Sequence, residues 1–562
     1  MIKFLKKPTN LLFSTLLLLT IINIVQSYTT ELLSDEAYYW VYSQKLDFGY
    51  FDHPPMVALW IYVSNLFFAN GELSVRFFAA FTLSSTIFIC WKLIEHPKKI
   101  EFTWLFLLIV LSTTLFNVYG FITVPDTPLL FFMALFLLGY KKYVDHKSFL
   151  SYFLISIGMA GMLYSKYQAI LVILFVLFSN LKILKDGKFW IASLGSTILF
   201  APHLYWQFIN DFPTFRYHLY ERTASSVYNV GDTLLHFVNI IAIIGLTFPI
   251  VYLAFYKNLK TKELFSKSLN FIVIGFITFF FLMSFKGHVQ AQWIVPISIP
   301  LILITFYYLI DKKAKRKTFI YLASATLICV TFIRIAMAND GILSKQQDMH
   351  GNKAWVQNLK TVIKGKQPIF LDSYQNASAY WFYAHEQPLE FNSWNRRKNQ
   401  YDLLESNTFS KNKDVALIGN KRIKNTADTS IIKRNKTKLY IKYLSNYNNY
   451  KGLKITFEDN LSIADLNSKT LDIFVKNSYA DLGENNIIYK VVLLDEKRKA
   501  IKTFPAEITF NEAINIGNNN AKLSIKTKET TIDTAVSFIQ IIGQTHKDMP
   551  SFRVSSMKQI KL

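Results

Sequence analysis

Cysteine is nearly absent. The 562 residues hold two, Cys90 and Cys329, both inside apolar runs, which excludes a disulfide framework and a thiolate metal site. Acid is short relative to base: 38 Asp and Glu stand against 62 Lys and Arg, a formal net charge of +24. Nucleic acid is nevertheless not an expected partner, because no recognition motif accompanies the charge. Much of the excess lies in short loops between apolar runs, where membrane topology accounts for it. The remainder is scattered over the C-terminal region and suits a surface near anionic lipid. No internal repeat is visible. No spacing of His, Cys, Asp or Glu requires a metal, so a divalent ion stays open and no other cofactor is indicated.

What the chain has is apolar length. It is 51% hydrophobic and 16% aromatic with a mean hydropathy of +0.23, which takes it out of the soluble class. Runs near the ~20 residues that cross a bilayer recur up to residue 337. Spans are expected near 11–27, 74–94, 102–120, 128–144, 149–164, 169–181, 189–208, 233–256, 268–285, 291–310 and 318–337. The opening "MIKFLKKPTN" with its apolar run resembles a signal peptide, with "VQS" at 25–27 as a tolerable cleavage site; the many later spans favour an uncleaved anchor. "MVALWIYVSNLFF" (56–68) is short for a crossing. With Asp52 as a cap and Pro54 and Pro55 in the first turn, it reads as an interfacial or re-entrant helix.

Lysines sort the loops. Lys3, Lys6 and Lys7, then Lys98 and Lys99, Lys141, Lys142 and Lys147, Lys182, Lys185 and Lys188, Lys257, Lys260 and Lys262, and "DKKAKRK" at 311–317 all fall on one side, which should be cytoplasmic. The other side holds the loop 28–73, "TVPDTP" (123–128), "SKYQ" (165–168), the loop 209–232, "FKGHVQ" (285–290) and everything after 338. Nearly every unusual polar residue lies there, and ionisable groups at a membrane edge are costly enough to suggest function.

The acids Asp35 and Glu36, in "LLSDEAYYW", come first. Around them the same face gathers Asp126, Lys166, Arg216, Arg222, Lys286 and His288. Each has a plainer explanation: a solvated acid for Asp35 or Glu36, a helix cap for Asp126 or Thr127, snorkelling for Lys166, a structural imidazole for His288, an amphipathic interfacial helix for "FPTFRYHLYER". Together they put acids and several cations on one membrane face. Cations beside apolar surface suit a phosphate whose tail stays in lipid. A nearby carboxylate suits a general base acting on an acceptor hydroxyl.

"DEAYYW" (35–40), "GYFDHPPM" (49–56), Arg76 after "GELSV", "PDTPLL" (125–130), "SKY" (165–167) and "NDFPTFRYHL" (210–219) follow in that order. This series resembles the family 39 glycosyltransferases of the GT-C fold, which include protein O-mannosyltransferases and bacterial lipid A aminoarabinose transferases. "SYQNASAYWFY" (373–383) and "RKNQYDL" (397–403) resemble the soluble region of bacterial members. The resemblance covers about residues 30–405. It implies a polyprenyl-monophosphate-linked sugar as donor and inverting transfer on the outer face of a bacterial cytoplasmic membrane, with a protein, glycan or lipid acceptor. It implies Asp35 as the catalytic carboxylate and Glu36 as its acidic partner. Lys166, Arg216 and Lys286 are candidates for the donor phosphate, with His53 orienting substrate and Asp126, Arg222 and His288 nearby.

The expected fold is a polytopic α-helical membrane protein of the GT-C type over residues 1–338. A soluble α/β domain (339–440) and a β-rich, sandwich-like domain (441–562) follow outside the membrane. In the last part "LKITF", "LDIFVK", "NIIYKVVLL", "AKLSI" and "SFIQIIG" alternate like strands. The rival reading is a flippase or transporter of lipid-linked sugars. Transporters show internal repeats and midplane ionisable groups; this chain shows neither.

Overall fold

The computed structural model describes residues 8–218, 228–342, 348–404, 410–433, 435–458, 461–479, 487–527 and 536–561. The chain divides into two compact units, Met1–His350 and Gly351–Leu562.

The first unit is helical. Among the described residues, six helices are long and apolar enough to cross a membrane: Thr9–Thr29, Leu73–Leu93, Asp126–Asp145, Val230–Asn258, Leu264–Ser284 and Lys313–Ala338. Shorter apolar helices, Met56–Asn65, Thr103–Ser112, Phe149–Ser165, Ala169–Ser179 and Val295–Asp311, pack among them. Gly187–Ile209 is 23 residues long and contains Pro202. The helix Met56–Asn65 spans 10 residues, too short to cross. The residue before its first turn is Pro55, and no side chain caps it, so Asp52 does not act as the expected cap.

Two long apolar segments are broken. The stretch expected to run unbroken over 102–120 stops at Thr113 and restarts as Thr114–Val118. The carbonyls freed by the break are not left bare. Asn117 Nδ2 donates to Val110 O (2.8 Å), Leu111 O (3.2 Å) and Thr113 O (2.8 Å), as a buried helix end requires. The second break is at Gly245, where φ is +80° and a helix cannot continue. The two breaks face each other. Thr114 Oγ1 donates to the carbonyls of Ala242 and of Ile243, the latter at 3.0 Å.

Side-chain contacts separate two ends of the bundle. At one end the lysine-bearing loops bind one another: Lys141 meets Glu95 and Asp145 at 2.9 Å, Lys147 meets Asp186 at 2.8 Å, and the Glu95 amide donates to Tyr307 Oη. The other end holds the candidate site.

The second unit holds two sheets. The first has five strands in the order Leu389–Phe391, Gln367–Leu371, Ser410–Gly419, Lys438–Asn449, Thr429–Ile432. The first three are parallel and the remainder antiparallel. Because Lys438–Asn449 belongs to this sheet, the change from one sheet to the next falls after Asn449 rather than at 440/441. The second sheet has eight antiparallel strands between Lys454 and Gln559. Thr470–Asn477 alternates strictly and buries every second residue, whereas Phe538–Gln544 is buried on both faces. The whole is one curled sheet: a bridge from Ile455 to Ser555 joins its two ends, and the Ile455 amide donates to Val554 O at 2.7 Å. Alternation reads the same in a sandwich and in a curled sheet closed on itself.

Candidate functional site

The helix Ser34–Ser43 carries both acids in its first turn. Successive residues on a helix point about 100° apart, so neighbours meet different surroundings. Asp35 is exposed. Glu36 is fully buried. Its carboxylate takes Arg76 Nε at 2.8 Å and Arg76 Nη2 at 2.5 Å, the Thr123 amide at 2.9 Å and the Leu33 amide at 3.1 Å. Arg76, near the start of Leu73–Leu93, is also fully buried. It donates to the carbonyls of Ser27 (3.3 Å), Thr30 (2.6 Å) and Glu31 (3.1 Å). These lie where the first helix ends, and helix C-termini leave carbonyls that favour a cation. The pair therefore locks three segments: the end of the first helix, the acid-bearing helix and the loop at Thr123.

That loop leads straight to the next charge. Thr123 Oγ1 donates to Val75 O at 2.9 Å and Thr127 Oγ1 to Ile122 O at 3.0 Å. Asp126 then opens its helix, but no side chain caps that helix. Instead both Asp126 carboxylate oxygens lie 2.9 Å from Lys166 Nζ. Lys166 sits just past Phe149–Ser165, its amide bonded to Met162 O. Both side chains are buried, 3% and 9% exposed, so this is an enclosed ion pair and not a snorkelling lysine.

The third component is the turn 47–53 against the end of Gly187–Ile209. Gly49 is pressed on the Trp206 ring, where a Cβ would lie 2.3 Å from Cε3, so no side chain fits. Trp206 Nε1 donates to Asp47 Oδ2 at 2.9 Å. His203 Nδ1 donates to Phe48 O at 2.6 Å, which leaves Nε2 to accept from the Tyr167 hydroxyl at 2.6 Å. Gln207 Nε2 donates to Tyr167 Oη and to Thr214 Oγ1, and Thr214 Oγ1 to Tyr50 O at 3.0 Å. His218 Nε2 donates to Asp52 O at 3.0 Å. Aromatic rings fill the remainder. Tyr42 stacks on Tyr50 at 4.3 Å, Tyr39 meets His53 at 5.5 Å, and His53 lies 6.2 Å from His218. Burial raises the Tyr42 hydroxyl, and the Asp52 charge adds to it. Burial also raises Tyr50 and Tyr167. All three act as neutral hydroxyls.

These contacts close a circuit. Glu36 meets Thr123, Asp126 meets Lys166, Tyr167 meets His218, His218 meets His53 and His53 meets Tyr39; with the backbone steps Thr123–Asp126 and Lys166–Tyr167 between them, the circuit begins and ends on the helix that carries Asp35. Of the expected site residues, Glu36, His53, Asp126 and Lys166 belong to it, and Asp35 lies on the helix where it begins and ends. Arg216 stands at its edge, exposed, two residues before His218 and paired with Asp211. Arg222 lies outside the described residues. Lys286 and His288 are exposed, and Asp232 Oδ1 lies 3.5 Å from His288 Nδ1. Among the described residues no three His, Cys, Asp or Glu side chains converge as metal ligands. The sequence reading did not single out Tyr167, His203 or Gln207. The available signal was His203 and Gln207 four residues apart on one face of an otherwise apolar helix.

Residues 52–206 match the model of the dolichyl-phosphate-mannose-protein mannosyltransferase family. A lipid A galacturonosyltransferase, RgtD of Rhizobium johnstonii, is 25% identical over 197 residues. That match spans 41% of the relative's length and 34% of this chain. Among solved structures, ArnT from Cupriavidus metallidurans superposes in its apo state with a TM-score of 0.56 at 10% identity. The same protein bound to undecaprenyl phosphate gives 0.57 at 12%. Each comparison covers 77% of this chain and 97% of the ArnT chain. At such identities the likeness is one of fold. The chain is thus a multi-pass membrane protein of the GT-C fold that resembles ArnT, and its residues 52–206 carry the sequence pattern of the mannosyltransferase family model.

Proposed function

We propose that the chain is an inverting glycosyltransferase. In this reading it moves a sugar from a polyprenyl-monophosphate donor to an envelope acceptor: a protein hydroxyl, a glycan or a lipid A-type lipid. The reaction would occur at the outer face of a bacterial cytoplasmic membrane, with the N-terminus cytoplasmic and residues 339–562 outside. Residues 1–338 would carry catalysis. The observation that supports this most is the exposed carboxylate of Asp35 on the helix from which Glu36 reaches Thr123, three residues before the enclosed Asp126–Lys166 pair.

For a hydroxyl acceptor, an Asp35 carboxylate oxygen takes the proton as the acceptor oxygen bonds to the anomeric carbon. The bond from that carbon to the donor phosphate oxygen breaks, and its electron pair leaves with the polyprenyl phosphate. Lys166 commits two N–H groups at most to Asp126, so an ammonium donor is left for the phosphate. In this reading Arg216, Lys286 and His288 add positive charge from the same face. Glu36, whose oxygens already accept four bonds, fixes the direction in which Asp35 points. His53 orients substrate from the Tyr39 side. For a phosphate acceptor, already ionised at neutral pH, Asp35 positions a cationic partner instead of taking a proton.

The test offers polyprenyl-phosphate sugars and envelope extract to wild type and to Asp35→Asn. Product with wild type alone supports the proposal, and its mass identifies the acceptor. Equal product from both removes Asp35 from the chemistry. Donor movement across vesicles without any transfer replaces the transferase by a flippase.

A further inference from the structure

The second unit contains a cluster of arginines that the proposed reaction does not use. Its first sheet starts from Gln367–Leu371. The helix Tyr374–Ala384 carries the chain to a parallel neighbour, Leu389–Phe391, on one side. The next segment brings it to Ser410–Gly419, parallel on the other side. Strand order therefore reverses at Gln367–Leu371. In open parallel sheets such a reversal opens a crevice beyond the carboxyl ends of the strands, where ligands bind.

The residues that follow those strand ends are unusual. Asp372 directly follows Leu371 and holds φ +57°, a conformation that is costly for a residue with a side chain. Its carboxylate accepts the Ser393 amide (2.6 Å) and Ser393 Oγ (2.9 Å). Two guanidiniums flank it: Arg396 Nε and Arg422 Nε each stand 3.7 Å from a carboxylate oxygen, beyond hydrogen-bond distance. Arg422 Nη2 donates to Ser393 Oγ at 2.8 Å. A third guanidinium, Arg397, lies 5.0 Å above the Tyr374 ring and donates to its hydroxyl at 2.6 Å. Tyr374 opens the helix Tyr374–Ala384, and no side chain caps that helix. Two guanidiniums thus flank the Asp372 carboxylate, and a third stands on Tyr374, two residues further along the chain.

The loop that presents the arginines is fixed from below. Asn392 Nδ2 donates to Arg397 O at 3.0 Å and to Asp402 Oδ2 at 3.3 Å. The Asn399 amide donates to Asp402 at 3.0 Å, and Lys451 Nζ meets Asp402 Oδ1 at 2.9 Å. Asn392 and Asn399 are buried. A surface arginine cluster that served only solubility would need no such support. A binding site does, because fixed donors lose less freedom on binding.

We propose that this cluster binds a phosphate ester of a saccharide. Arginine forks match phosphate oxygens two at a time. Asp372, whose backbone carbonyl accepts Arg396 Nη1 at 3.1 Å, keeps the forks spread and accepts a hydroxyl of the bound sugar ester.

The experiment uses the full-length chain in detergent. Arginines are labelled with phenylglyoxal at constant ionic strength and the sites are read by peptide mass. Labelling is repeated with inorganic phosphate, with glucose 1-phosphate and with glucose, and Arg498 serves as the in-chain reference. The expected result is slower labelling of Arg396 and Arg422 with glucose 1-phosphate, none with glucose, and no change at Arg498. Protection by inorganic phosphate as strong as by the sugar ester would uphold the anion site but overturn its saccharide specificity. Unchanged rates at Arg396 and Arg422 with either phosphate would overturn the site. Arg422→Gln should weaken glucose 1-phosphate binding about tenfold or more. None of these readings depends on sugar transfer, so failure here and failure of the transferase reading are separate results.

Discussion

Replacing Arg76 by methionine keeps most of the side-chain volume and removes the guanidinium. In the structure that group makes two bonds to Glu36 and three to the carbonyls of Ser27, Thr30 and Glu31. Both members of the pair are 0% exposed, so no water replaces the lost donors. Removing one partner of a buried pair costs about 3–5 kcal/mol, because the other charge stays enclosed. Glu36 keeps the amides of Leu33 and Thr123, which places the estimate at the lower end, about 3 kcal/mol. Removing both charges, Arg76→Met with Glu36→Leu, should cost clearly less than the sum of the single changes. The assay is thermal unfolding in detergent combined with limited proteolysis of the loop 28–73. Arg76→Met should lower the midpoint by roughly 4 °C and open the loop to cleavage, and the double variant should restore part of both. A single variant that melts like wild type with the loop still protected would refute the view that this pair anchors the acid-bearing helix.

Three further outcomes follow from the geometry. Lys166→Met should raise the donor KM about tenfold or more, whereas loss of stability with an unchanged KM would leave Lys166 a structural partner of Asp126. Gly49→Ala should destabilise the turn 47–53 by about 1–3 kcal/mol, seen as a lower melting midpoint, because its Cβ would enter the Trp206 ring. Burial pushes the Glu390 carboxyl above its ordinary value of 4.5, while Lys451 holds Asp402 ionised and below the usual range. A folded state that keeps a proton the unfolded chain releases loses stability as pH rises from about 4.5 toward that raised value. The melting midpoint of the second unit should fall across that window, and Glu390→Gln should flatten the slope.

Much of the bundle was legible because crossing a bilayer leaves a strong mark in apolar length, and because lysines mark loops on one side. The same rules could not see the breaks at Thr113 and Gly245. Those depend on Asn117 and on Thr114, which bonds carbonyls 128 and 129 residues away. Asp35 and Glu36 looked like one acidic pair. What divides them is Arg76, 40 residues downstream, which turns Glu36 inward while its neighbour stays in the open. Asp126 and Lys166 were each legible as a charge at a membrane edge. That they neutralise each other was not, since nothing local couples residues on separate helices. In the last sheet the alternation gave strands and their buried faces; whether the sheet's two ends meet depends on a bridge between Ile455 and Ser555, a contact between its first and last strands.

The facing breaks at Thr113 and Gly245 also govern how this part of the bundle can move. A carbonyl stripped of its helical partner deep in a span has no water to turn to. Here the hydroxyl of one helix serves the carbonyls of the other, so sliding the two apart would strand polar groups in hydrocarbon. The two kinked helices therefore travel as a single wall. In the proposed reading, any rearrangement that admits the lipid tail of a donor comes from neighbours whose backbone bonds are complete without them.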